Sequence, residues 1–182
     1  MTSTVFYTAT TLDGYLADDH DSLAWLFKQD QDEDGALSYE PFIANIGAIC
    51  MGATTYEWVL EHNDGPWPYT QPCWIFTHRD LKPVDDGDIR FAQGDVAPVH
   101  AEMAAAAEGK DIWVAGGGGL AADFAQAGLL DRLLLMIAPV TLGSGRPLFT
   151  RPFDLRLVDV ARNGAFMAAT YDVVGPLAES KA

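Results

Sequence analysis

The order of apolar and polar positions predicts an alternation of strands and helices. Val5 to Thr11 alternates and is rich in β-branched and aromatic residues, as a first strand would be. Asp13-Gly14 turns the chain into Tyr15-Leu16-Ala17. Leu23, Trp25, Leu26 and Phe27 supply the apolar face of a helix that Asp21 or Ser22 can cap, and a second helix covers Ser38 to Asn45 and ends at Gly47. Ile46 to Met51 is a strand running into Gly52 and a helix start, Ala53-Thr54-Thr55-Tyr56-Glu57. Strands follow at Cys73 to Thr77 and Ile89 to Ala92, then an Ala-rich helix from Val96 to Glu108, closed by Gly109. Ile112 to Ala115 is a continuous apolar run, read as a strand buried on both faces. Four glycines separate it from Leu120, Ala121, Phe124 and Ala125, which recur at helical spacing until Gly128. Leu133 to Pro139 is another strand. Asp154 to Arg162 and Ala165 to Val174 then flank Asn163-Gly164, a strong hairpin signal. The sum is an α/β fold: a mixed sheet of about eight strands with helices on both faces and a C-terminal antiparallel hairpin, in one domain over residues 1–182.

Composition narrows the function classes. The chain has 182 residues, enough to bury roughly 70% of its unfolded surface without a metal or disulfide staple. Eleven basic against 26 acidic residues give a net charge of −15, which argues against a nucleic-acid partner and against an anionic membrane surface. The longest clean apolar run, Leu133 to Val140, is far below the roughly 20 residues a membrane span needs. The first cation is Lys28, so no basic signal-peptide region is expected, and the reading is a cytoplasmic protein. Cys50 and Cys73 sit in apolar strand-like runs, and the four histidines show no metal-ligand spacing, so neither disulfide nor metal is expected.

The candidate chemistry lies at the glycines. A strand, then Gly116, Gly117, Gly118 and Gly119, then a helix start, exposes backbone N–H groups at the positive end of a helix dipole, a site for a phosphate or pyrophosphate. Gly116, Gly118 and Ala121 satisfy a dinucleotide fingerprint, although the acidic residue expected about 20 residues on is replaced by Leu134 to Pro139. Gly52 with Thr54 and Thr55 makes a second such corner, where either threonine can cap the helix or donate to a phosphate. Thr77-His78-Arg79 stands at the carboxyl end of a strand, and Arg79 is either a partner for a 2′-phosphate or a solvated loop arginine. The acidic run from Asp30 to Gly35 reads as a solvated loop.

Strand one with LDGY, then MGATTYE, IWVAGGGGLAADF, LLLMIAPVTLGSGRPLF and the terminal hairpin together resemble the dihydrofolate reductase superfamily. Within it the chain is most similar to the reductase domain of the bifunctional deaminase-reductase of riboflavin biosynthesis and its stand-alone relatives. That resemblance implies an NADPH-dependent reductase, similar to 5-amino-6-(5-phosphoribosylamino)uracil reductase, acting on a small heterocyclic or ribosylated substrate as a homodimer. The alternatives are a folate reductase and a nucleotide-binding protein without turnover. By the same resemblance, Ala9 and Leu16 embrace the nicotinamide; Gly52, Thr54 and Thr55 hold phosphate; Thr77, His78 and Arg79 meet the 2′-phosphate; and Gly116, Gly117, Gly118 and Gly119 lie under the pyrophosphate, the first two often joined by a cis peptide. Folate reductases carry a carboxylate on the first helix, where this chain has Ser22 with Asp21 one step earlier. Asp13 and Asp21, with Tyr7, are the candidate proton donors; Trp25 can stack on a planar substrate, and Arg146 can bind a substrate phosphate or pair with a carboxylate.

Overall fold

The computed structural model describes residues 2–178. Six parallel strands form the greater part of its main sheet: β1 (Thr4–Thr11), β3 (Ile46–Gly52), β4 (Cys73–Phe76), β5 (Ile89–Ala92), β6 (Asp111–Gly116) and β7 (Arg132–Ala138). The hairpin of β9 (Phe153–Asn163) and β10 (Phe166–Pro176) adds two antiparallel strands at one edge, giving the order β5-β4-β3-β6-β1-β7-β10-β9. A small second sheet pairs β2 (Tyr15–Ala17) with β8 (Arg146–Pro147).

Alternation along the strands sends successive side chains to opposite faces. Tyr7, Trp113 and Met136 pack on one face, against Phe42 and Ile43 of α2 (Tyr39–Ala44) and Tyr56 and Val59 of α3 (Ala53–His62). Phe6, Val114 and Leu135 pack on the other, against Met103 of α4 (Val96–Ala106) and Phe124 of α5 (Gly118–Gln126). The result is the expected three-layer arrangement. No helix among the described residues is long and apolar enough to cross a membrane.

Three local expectations change. The first helix, α1, is only Ala24–Phe27, because Asp21 takes φ 61° and the chain bends away before it. Asn163 is buried at the end of β9, and the hairpin turns after it through Gly164 at φ 56°. Its side-chain oxygen accepts from the Asp32 N–H (2.8 Å), while its amide donates to the carbonyls of Asp32 (3.1 Å) and Ala36 (2.8 Å). The acidic run is exposed, as expected of a solvated loop, and in addition its backbone is fastened to the hairpin.

Candidate functional site

The carboxyl ends of β3 and β6 lie side by side, Met51 being paired with Gly116. Each strand ends in a glycine corner and a helix: Gly52 is the N-cap of α3 and Gly117 that of α5. No side chain caps either helix, so the first N–H groups of both have no local side-chain acceptor. Thr54 and Thr55, expected as possible caps, do not act as such. The two corners nearly touch, since a Cβ built at Gly116 would stand 2.2 Å from Thr55 Oγ1. Gly117 makes the bend at φ 93° and ψ 112°, and all peptide bonds among the described residues are trans, so the cis bond common in the resembled family is not seen here. Gly52 and Gly119 have no atom within 4 Å of the position a Cβ would take; both face open space.

At Gly119 that space belongs to a cleft of about 470 Å³ lined by Leu16, Thr54, Thr55, the four glycines of this turn, Asp21 and Arg146. Arg146 donates to Asp21 through Nε (2.6 Å) and Nη2 (3.0 Å). This pairing holds the Asp21 carboxyl below the usual carboxylate range. Asp21 is engaged by Arg146, and both line this cleft. At the cleft's rim Arg79 pairs with Glu57 and reaches Thr54 Oγ1 at 3.5 Å. Thr77 is buried, its hydroxyl accepting from the Arg79 N–H (2.9 Å), and His78 is exposed.

Asp13 takes a different part. Its carboxylate accepts from the Thr11 hydroxyl (2.6 Å) and from the N–H groups of Leu142 (3.0 Å) and Gly143 (2.7 Å), and these bonds hold it below its ordinary pKa, the Thr11 contact first among them. Asp13 lines neither this cleft nor the next and joins two loops as an acceptor.

A second cleft of about 450 Å³ adjoins the first, the two sharing Thr8 and Ala115. Ala9 lines this one instead of the first, with Tyr39, Trp113, Met136 and Phe166. Trp25 does not: it is 6% exposed and packed in the core, while its neighbours Leu26 and Phe27 reach the cleft. Phe27 in turn stacks on Trp58 of the first cleft, ring centroids 6.3 Å apart. The Tyr7 hydroxyl donates to the Leu37 carbonyl (2.8 Å), and burial pushes its pKa up to about 12, with Tyr39 adding to the shift. Sequence reading missed this cleft because its walls come from β1, α1, α2, β6, β7, β10 and the pinned loop. The i, i+2 pairs Tyr7/Ala9 and Trp113/Ala115 were the available signal.

The arrangement suits a long ligand with two linked anionic groups at the glycine corners and a flat ring at the junction. Each helix start carries roughly half a positive charge, which helps hold an anion in a protein of net charge −15.

The family model that matches this chain is the RibD C-terminal domain, over residues 67–165. The chain is similar to Uncharacterized protein YwjB of Bacillus subtilis (strain 168), 30% identical over 172 residues that make up 92% of this chain and 96% of YwjB. Among solved structures it is similar to a putative riboflavin biosynthesis protein from Shewanella sp. PV-4, with TM-score 0.79 and 23% identity, covering 94% of this chain and 98% of that one. It is also similar to dihydrofolate reductase from Enterococcus faecalis, complexed with NADP(H), with TM-score 0.58 and 11% identity over 94% of this chain and 96% of that one.

Proposed function

Because the chain belongs to the RibD C-terminal domain family, a group of dihydrofolate-reductase-like α/β domains, we propose that it is an NADPH-dependent reductase of a small heterocyclic substrate. The observation that carries this reading is the juxtaposition of two uncapped helix starts across Gly116 and Thr55, beside a cleft that shares Thr8 and Ala115 with a second, aromatic one. The residues present fit the cofactor: Gly119 lines the cleft, and the space a side chain would take there is open.

NADPH, when bound, supplies a hydride; the protein's part is orientation and exclusion of water. In this reading the N–H groups at the starts of α3 and α5 hold the pyrophosphate. Thr54 and Arg79 meet the 2′-phosphate, with Thr77 and His78 forming the segment that carries Arg79. Leu16 and Ala9 border the nicotinamide from the two clefts. The substrate ring lies over Trp113 and Met136. A homodimer belongs to the same proposal, because β9 is the outermost strand of the sheet and leaves Leu155, Leu157, Val158 and Val160 exposed.

The test is cofactor titration. NADPH binding, followed by its fluorescence, should exceed NADH binding, and Arg79→Ala should remove about tenfold of that preference, the worth of one charge-assisted contact at an exposed site. Absence of NADPH binding by the unaltered protein would overturn the proposal; unchanged discrimination in the variant would remove Arg79 from the site.

A further inference from the structure

We infer that the second cleft takes a planar heterocycle without a phosphate group, recognised by its faces and by a ring N–H. This rests on the reading of that cleft as the seat of the hydride acceptor and names the class of molecule it accepts. Three observations carry it.

First, none of the described residues lining the cleft is charged; its polar atoms come from Tyr7, Thr8, Gln29, Gln31 and Tyr39. A phosphate buried there would lack a cation, and anions are held in proteins by paired charge or converging donors. Arg146, the arginine expected to meet a substrate phosphate, stands in the other cleft and is engaged by Asp21.

Second, the loop that carries Gln31 to the cleft is acidic, and its backbone is fixed. Gln31 reaches the cleft from between Asp30 and Asp32, with Glu33 and Asp34 following. Lys28 is the cation in this stretch, and Arg162, on the adjoining hairpin, turns its Nε to the Gly164 carbonyl (2.9 Å). The buried Asn163 and the Ala165 N–H to Asp30 carbonyl bond (2.8 Å) clamp the loop, so these carboxylates cannot simply swing away with their backbone. Repulsion between a phosphate dianion and the carboxylates that flank Gln31 adds to the lack of a cation in the cleft's lining.

Third, the amide of Gln29 is oriented. Its Nε2 donates to the Trp25 carbonyl (2.8 Å), which leaves its oxygen free as an acceptor. A ring N–H is its natural partner, while Trp113 and Tyr39 offer aromatic surface for the ring.

A matched pair of probes tests this. Riboflavin and FMN share one planar ring with an N–H and differ in a terminal phosphate, and quenching of flavin fluorescence reads their binding to the protein without NADPH. Riboflavin should bind at least tenfold more tightly than FMN. Gln31→Lys, at an exposed position, should narrow that ratio at least tenfold, and Gln29→Leu should weaken riboflavin at least tenfold. FMN binding as tightly as riboflavin would overturn the inference, as would failure of both flavins to bind a protein that binds NADPH. Failure of NADPH to bind, with the riboflavin preference intact, would instead count against the reductase reading alone.

Discussion

Replacing Gly119 with alanine should make the protein more stable and less able to hold its cofactor. Gly119 lies in the first turn of α5, outside the positive-φ glycines, and a Cβ there meets no atom within 4 Å. Alanine is therefore compatible with the fold and restricts the unfolded chain, a gain of about 0.4–1 kcal/mol. For a domain of this size that raises Tm by about 1–4 °C. The open space that receives the methyl group is the cleft itself. A phosphate oxygen at hydrogen-bond distance from the helix start would have to retreat, losing at least one bond to a charged group, about 1.5–3 kcal/mol or about 10- to 150-fold in affinity. Gly116→Ala provides the contrast. Its Cβ would fall 2.2 Å from Thr55 Oγ1 and 2.6 Å from Thr55 Cγ2, so the two corners must separate at a cost of about 1–3 kcal/mol. That variant should lose both stability and binding. Thermal unfolding of the unliganded proteins and calorimetric titration with NADPH measure both quantities. Gly119→Ala with a raised Tm and unchanged NADPH affinity would refute the idea that the glycine turn lies against the ligand, leaving the four glycines as a packing device.

Other outcomes follow from the charges and the exposed edge. Asp21→Asn removes a negative charge from the cofactor cleft and frees Arg146, and asparagine tolerates the positive φ at this position; NADPH should bind several-fold more tightly with turnover unchanged, whereas a fall of about 10²–10⁴ in kcat would mark Asp21 as the catalytic acid. Asp13, Asp18, Asp88 and Asp172 all have folded-state pKa values below normal, through hydrogen bonds from Thr11, Ser22, Arg90 and Arg156 respectively. Their stabilisation is present above the unfolded pKa near about 4 and is lost as pH falls through the lower folded values. Tm should accordingly fall below about pH 4, and a Tm flat to lower pH contradicts this. Light scattering should give a dimer that Leu157→Asp with Val160→Asp converts to monomer; a monomeric unaltered protein would refute that arrangement.

The regular parts of this molecule were legible because each rests on local chemistry. Alternation marked β1, Asn163-Gly164 marked the closing hairpin, and glycine after an apolar run marked both corners. Adjacency of those corners was not legible, since it depends on β6 inserting between β1 and β3 in the sheet. The roles of Asp13 and Asp21 were obscured for the same reason. Their partners, Leu142, Gly143 and Arg146, lie more than 120 residues away in sequence and meet them only through the packing of the loop before β8. Likewise the acidic run is solvated as read, but nothing nearby in sequence shows that Asn163 fastens its backbone. Trp25 belongs to the apolar face read for the first helix, and the structure buries it there rather than against a ligand.

The central claim is that one dinucleotide's linked phosphates are held by the paired starts of α3 and α5. A crystal structure of the protein grown with NADP tests it most directly. The pyrophosphate oxygens should lie about 3 Å from backbone nitrogens among Ala53 to Thr55 and Gly118 to Leu120, with the nicotinamide beside Thr8 and Ala115. A dinucleotide bound elsewhere, or one whose phosphates meet only side chains while the glycine corners face solvent, would contradict the account.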